Sequence, residues 1–194
     1  MHALEFPERL TVELTNICNY ACSMCPSRHN SAEPKGMMSP ELFNRIVDEA
    51  RNYTPALVPF FRGESLMHPK LVEFIDLAKA NGLGPVQLAT NGTLLTKDLA
   101  KAVLDSGLDF ISFSLDTVIP AEYAAIRVGG DLQKVTANVL ACMELRNQGG
   151  YETEIQVSAA RTEQNNNSMQ SFVEYWQDKA DRTRIYYEHS KDGN

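Results

Sequence analysis

Short runs rich in β-branched and aromatic residues alternate with longer stretches of helical periodicity along the whole chain, the pattern of an α/β fold with a parallel sheet. Residues 10–15, 57–61, 86–90, 110–115, 154–159 and 184–187 read as strands, six in all. Ser39 caps a first helix with Pro40 at its first position, and Leu42, Phe43, Ile46, Val47 and Ala50 share one face of it. A second helix opens in the same way at His68-Pro69, buries Leu71, Phe74, Ile75 and Ala78, and stops at Gly82. Thr96 caps a third, lined by Leu99, Val103 and Leu104 and stopped by Gly107. A short helical piece fits residues 120–126, a longer helix carries Val135, Val139, Cys142 and Met143 to Gly149-Gly150, and a last one carries Phe172, Val173 and Trp176.

Strand–helix connections of this length are right-handed crossovers, so the array either coils into a barrel or lies as an open doubly wound sheet. Six strands are fewer than the eight of a closed βα barrel, so a barrel built from them is partial and laterally open. With 194 residues, 43% of them hydrophobic, the chain has enough apolar surface for one core, and a single domain over 1–194 is expected. No helix follows the sixth strand, so the sequence is expected to be the core of a longer protein, lacking its C-terminal extension. The net charge of −7, from 18 basic and 25 acidic side chains with no basic run, argues against nucleic acid as a partner. No apolar run reaches the ~20 residues of a membrane span and the N-terminus lacks a secretory pattern, so a cytoplasmic protein without membrane contact is expected.

Parallel βα folds gather ligands at the carboxyl ends of their strands, where the loops converge. Polar and reactive residues fall there repeatedly. The first strand leads into a loop holding Cys18, Cys22 and Cys25, the second into Arg62-Gly63-Glu64-Ser65, and the third into Thr90-Asn91-Gly92-Thr93. The fourth leads into Ser114-Leu115-Asp116, the fifth into Arg161, and the sixth into Glu188-His189. Three of the four cysteines sit within eight residues, as C-x3-C-x2-C. Three thiolates can hold three irons of a cubane cluster and leave the fourth iron open to another ligand. Adding His29 gives C-x3-C-x2-C-x3-H, a closed tetrahedral zinc site, but that reading accounts for only the first rim segment. Cys142 lies on an apolar helical stripe and reads as a small buried hydrophobe.

The cysteine triplet after a first strand, followed by Gly63-Glu64, Thr90-Asn91-Gly92 and Ser114-Leu115-Asp116 after later ones, resembles the radical S-adenosylmethionine (SAM) superfamily. The residues around Cys18 and Cys25 are similar to members with a C-terminal SPASM or twitch domain. The resemblance implies an α/β fold, a partial, laterally open (β/α)6 barrel. It implies that Cys18, Cys22 and Cys25 ligate a [4Fe–4S] cluster at which SAM is reductively cleaved to a 5′-deoxyadenosyl radical that takes hydrogen from a substrate. By the same resemblance Gly63 and Glu64 receive the methionine ammonium, with Arg62 and Ser65 standing where relatives have glycine and proline. Ser114 and Asp116, expected on one side of the strand end, and Thr90 and Asn91 then contact the cofactor; Arg127 reaches its carboxylate; Met24 packs beside adenine. It further implies a flavodoxin- or ferredoxin-type electron donor and a peptide or small-molecule substrate, with peptide modification or cofactor maturation as the reaction.

Overall fold

The structure, a computed structural model, describes residues 6–26 and 34–187. Six parallel strands, β1 (Arg9–Thr11), β2 (Ala56–Val58), β3 (Gln87–Thr90), β4 (Phe110–Ser114), β5 (Glu154–Arg161) and β6 (Arg182–Tyr187), follow one another in space in chain order. β1 pairs with β2, β3 to β6 form a second ladder, and a Leu57–Val86 bridge with the bond from Leu57 N to Pro85 O (3.0 Å) joins the two. All three connections that link β3 to β6 are parallel crossovers, as an α/β fold requires.

Helices α1 (Pro40–Ala50), α2 (Leu71–Ala80), α3 (Lys97–Asp105), α4 (Pro120–Ile126), α5 (Leu132–Gly149) and α6 (Met169–Trp176) fill the connections. Their ends follow local chemistry. Ser39 Oγ accepts from Leu42 N, Thr96 Oγ1 from Leu99 N, and Asp131 Oδ1 from Gln133 N and Lys134 N, each satisfying N–H groups that a helix start leaves open. Gly82 (φ 77°) and Gly150 (φ 66°) take the left-handed conformation just past α2 and α5.

The strands present two different faces. Leu88 on β3, Ile111 and Phe113 on β4, and Ile155, Val157 and Ala159 on β5 are buried with the apolar faces of the helices. The alternate residues, among them Gln87, Ser112, Ser114, Gln156, Ser158 and Arg184, line a cavity of about 720 Å³ on the opposite face, which reaches from Arg9 on β1 to Tyr186 on β6. Among the described residues no helix is long and apolar enough to cross a membrane.

Several boundaries differ from expectation. The first strand is Arg9–Thr11 rather than 10–15: beyond it the chain bends at Leu14 and leaves the ladder, with Val12 N bonded to Val58 O (2.9 Å) and Leu14 O accepting from Met38 N (2.8 Å). The second ends at Val58, because Pro59 has no N–H to continue a ladder. The second helix starts at Leu71, not at Pro69. Residues Ser65–Met67 form a 3-10 turn instead, and His68 Nδ1 accepts from Lys70 N while its carbonyl accepts from Leu71 N. Leu42, expected on the buried face of α1, is 44% exposed, since Phe43, Val47 and Ala50 make up the narrower stripe that packs inward.

Candidate active site

The loop at residues 15–26 is built to hold its cysteines over the strand ends. Thr15 Oγ1 donates to Gly36 O (2.8 Å), and Asn16 bonds Pro34 O and Gly36 N, so the segment returning from residue 34 ties the loop down on one side. On the other side Ala21 N donates to Val128 O and Ser23 N to Ile126 O, both at 2.9 Å, which sets Cys22 across from Arg127. Cys25 N closes a tight turn on Cys22 O (3.1 Å). Cys22 is buried, Cys25 half-buried and Cys18 exposed. The three thiols border one hollow of about 330 Å³ with Tyr20, Lys35 and Arg62.

Among the described residues no three His, Cys, Asp or Glu side chains form a ready cage for a single ion. Three cysteines spread around a hollow are a donor set suited to a multi-iron cluster with one protein-free iron. His29, the fourth ligand of a zinc reading, lies outside the described residues, as do Glu188 and His189.

Gly63 and Glu64 knit three loops together. A Cβ on Gly63 falls onto the carbonyl oxygens of Thr15 and Ile17, the second at 2.8 Å, so only glycine lets the second rim segment lie against the cysteine loop. Glu64 N then donates to Ile17 O (2.9 Å). The Glu64 carboxylate, 3% exposed, accepts from Thr90 Oγ1 (2.7 Å), Leu66 N (3.0 Å) and Asn91 N (2.8 Å). Burial pushes its pKa up, against the opposing pull of these three donors and of Arg127. Three of roughly four acceptor positions on the carboxylate are thereby filled. Asn91 Nδ2 donates to Asn19 Oδ1 (2.8 Å), a further tie to the cysteine loop.

The two departures from the superfamily pattern have partners of their own. Arg62 forms a forked pair with Glu13, Nε to Oε2 at 3.0 Å and Nη2 to Oε1 at 3.1 Å. Ser65 Oγ donates to Pro59 O (2.6 Å), which satisfies a buried hydroxyl where a proline has none.

A second cavity, about 340 Å³, lies between the cysteine loop and the strand ends. Met24, Gly63, Glu64, Thr90, Asn91, Ser114 and Arg127 line it together with all three cysteines. Asp116 does not. The strand stops at Ser114 and Asp116 turns into the left-handed region (φ 68°), which Asp tolerates better than most residues, so alternation fails to bring the two to one side. Asp116 is 1% exposed; its Oδ2 accepts from Arg127 Nε (2.6 Å) and its Oδ1 from Ala160 N (2.8 Å). It meets the cavity lining through its bond to Arg127.

Other residues around the cavity carry no local sequence signal. Tyr20 bonds both Thr93 Oγ1 and Tyr123 Oη, and Asn165 Nδ2 donates to the carbonyls of Asp116 and Ala160. Phe60 and Phe61, both exposed, sit at the cavity mouth. Cys142 is 2% exposed within α5, its thiol pushed up to about 11 by burial, and it lines neither cysteine cavity.

Residues 12–151 match the radical SAM superfamily. The chain is 30% identical over 170 residues, 86% of its length, to the tungsten-containing aldehyde ferredoxin oxidoreductase cofactor-modifying protein of Pyrococcus furiosus, covering 47% of that protein. It is 31% identical over 134 residues, 69% of its length, to a probable GTP 3′,8-cyclase of Methanococcus maripaludis, covering 45% of it. The chain thus spans about half the length of the curated relatives it matches. In fold it is similar to Streptococcus suis SuiB bound to S-adenosylmethionine, with a TM-score of 0.78 and 16% identity over 98% of this chain and 43% of that one, and to SuiB bound to its precursor peptide SuiA, with a TM-score of 0.76 and 16% identity over 95% and 40%. On the match of residues 12–151 and the rim motifs it contains, the chain belongs to the radical SAM superfamily.

Proposed function

We propose that the chain is the catalytic core of a radical SAM enzyme, with Cys18, Cys22 and Cys25 as the protein ligands of a [4Fe–4S] cluster and the adjoining 340 Å³ cavity as the seat of SAM. The carrying observation is that one cavity is lined by all three thiols and by rim residues from the second, third and fourth strands. Once bound, cluster and SAM supply one-electron chemistry, reductive cleavage to a 5′-deoxyadenosyl radical that abstracts hydrogen from substrate.

The chain's own residues bind and orient. Glu64 offers its remaining acceptor position to the methionine ammonium, Arg127 offers N–H groups left over from Asp116 to the carboxylate, and Thr90, Asn91 and Ser114 add polar contacts. Met24 gives an apolar surface for adenine. Asp116 holds Arg127 in place. The sheet is read as a partial, laterally open barrel whose polar interior, the 720 Å³ cavity, admits the substrate. A peptide or a cofactor precursor fits this reading: SuiB, similar in fold, was crystallised with a precursor peptide, and the Pyrococcus relative is named for modifying a cofactor. Electrons come from a flavodoxin- or ferredoxin-type donor.

Anaerobic reconstitution with iron and sulfide is the test. Roughly four irons per chain and, after reduction, conversion of SAM to 5′-deoxyadenosine and methionine are expected. Stoichiometric zinc with no iron uptake overturns the proposal and favours a zinc domain.

A further inference from the structure

Arg127 is fixed by an ion pair with Asp116, and another arm of its fork reaches Cys22 of the cysteine loop. Its Nε donates to Asp116 Oδ2 at 2.6 Å, and its Nη1 lies 3.6 Å from Cys22 Sγ in hydrogen-bonding geometry. The side chain is only 14% exposed. Asp116 is itself held by Ala160 N, and its carbonyl by Asn165 Nδ2 (2.8 Å). The backbone enforces the same approach, since Ala21 N and Ser23 N bond the carbonyls of Val128 and Ile126 on either side of Arg127. Two independent sets of bonds thus hold a guanidinium beside one of the three thiols.

A hydrogen bond and a positive charge at a ligand sulfur stabilise the more negative, reduced form of an iron–sulfur cluster and raise its potential. We propose that Arg127, by donating to Cys22 Sγ, raises the reduction potential of the [4Fe–4S] site, separately from any contact it makes with SAM. The inference rests on the proposed function, because it needs the cluster to be bound. The step concerned is one-electron reduction by an external donor, with no bond made or broken in the chain.

The test is an EPR-monitored redox titration of the reconstituted full chain without SAM, comparing wild type with Arg127→Gln and Arg127→Lys. Iron content and circular dichroism establish that each variant is folded and loaded. A midpoint shifted to more negative potential in both variants is expected. Lysine keeps the charge but lacks the fork needed to serve Asp116 and Cys22 together. Midpoints coinciding with wild type overturn the inference and leave Arg127 as a SAM contact only. Should the Gln variant fail to load, the Lys variant decides by the same criterion. Failure of the wild type to load iron and sulfide would instead remove the proposed function, and this inference with it.

Discussion

At the residue scale, Gly63 and Glu64 show how a two-residue motif serves structure before it serves a ligand. Gly63 exists where the second rim segment presses on the Thr15 and Ile17 carbonyls, and those are backbone atoms that cannot swing aside. Gly63→Ala should therefore cost about 1–3 kcal/mol, the range for overpacking, and lower the iron bound per chain. A thermal melt and an iron assay on the same preparation check this; an unchanged melt with full iron would mean the loops part without cost. The motif itself is legible in the sequence, but Glu64's partners are not: Thr90 and Asn91 lie 26 and 27 residues away and bear no local mark of the contact. The partners of Asp116 are hidden for a related reason. Period-two alternation holds only while the strand continues, and nothing in Ser-Leu-Asp announces the left-handed turn that diverts the carboxylate to Arg127.

At the scale of elements, helix starts and stops are the most readable features, because Ser39, Thr96, Gly82 and Gly150 act on N–H and C=O groups within a few residues. The feet of the strands are held by a device that spacing does not reveal. Asp109, just before β4, accepts from Val86 N (2.7 Å) and pairs with Lys79 of α2. Asp181, just before β6, accepts from Ile155 N (2.7 Å) and pairs with Arg146 of α5. Each clamp joins a strand to its neighbour's start and to a helix end, at the face opposite the cavity of the cysteines, where stability rather than chemistry is at stake. Burial works to raise the pKa of Asp181, but Arg146 and the Ile155 N–H outweigh it, and the net shift is downward. A carboxyl whose folded pKa lies below its unfolded value stabilises the fold fully above the unfolded pKa and ceases to as pH falls through the folded one. Asp181→Asn should cost about 1 kcal/mol at pH 7, discounted for a partly exposed pair, and roughly 2–4 °C in Tm. The difference from wild type should shrink below about pH 4. Urea melts at pH 7 and at lower pH measure it, and a difference that grows with acidity would contradict the clamp.

At the scale of the whole molecule, the alternation of strands and helices was enough to foresee six parallel strands but not their order, which both a barrel and a doubly wound sheet left open; the strands follow one another in chain order. The second face was harder to see. Parallel strands are usually apolar on both sides, yet Ser112, Ser114, Gln156 and Ser158 recur at every second position, and that polar period marks the sheet face that borders the 720 Å³ cavity. The clustering of cysteines, Gly-Glu and Thr-Asn at one end was foreseeable from their positions after successive strands, because a parallel array brings those loops together, whereas Arg127 follows the helix α4 and was named only by the family resemblance. The most direct test of the central claim is the yield of 5′-deoxyadenosine per chain from reconstituted, reduced protein in four single variants, Cys18→Ala, Cys22→Ala, Cys25→Ala and Cys142→Ala. The first three should abolish cleavage and the fourth should retain it; cleavage that survives loss of a loop cysteine, or in a folded protein disappears with Cys142, would contradict the account.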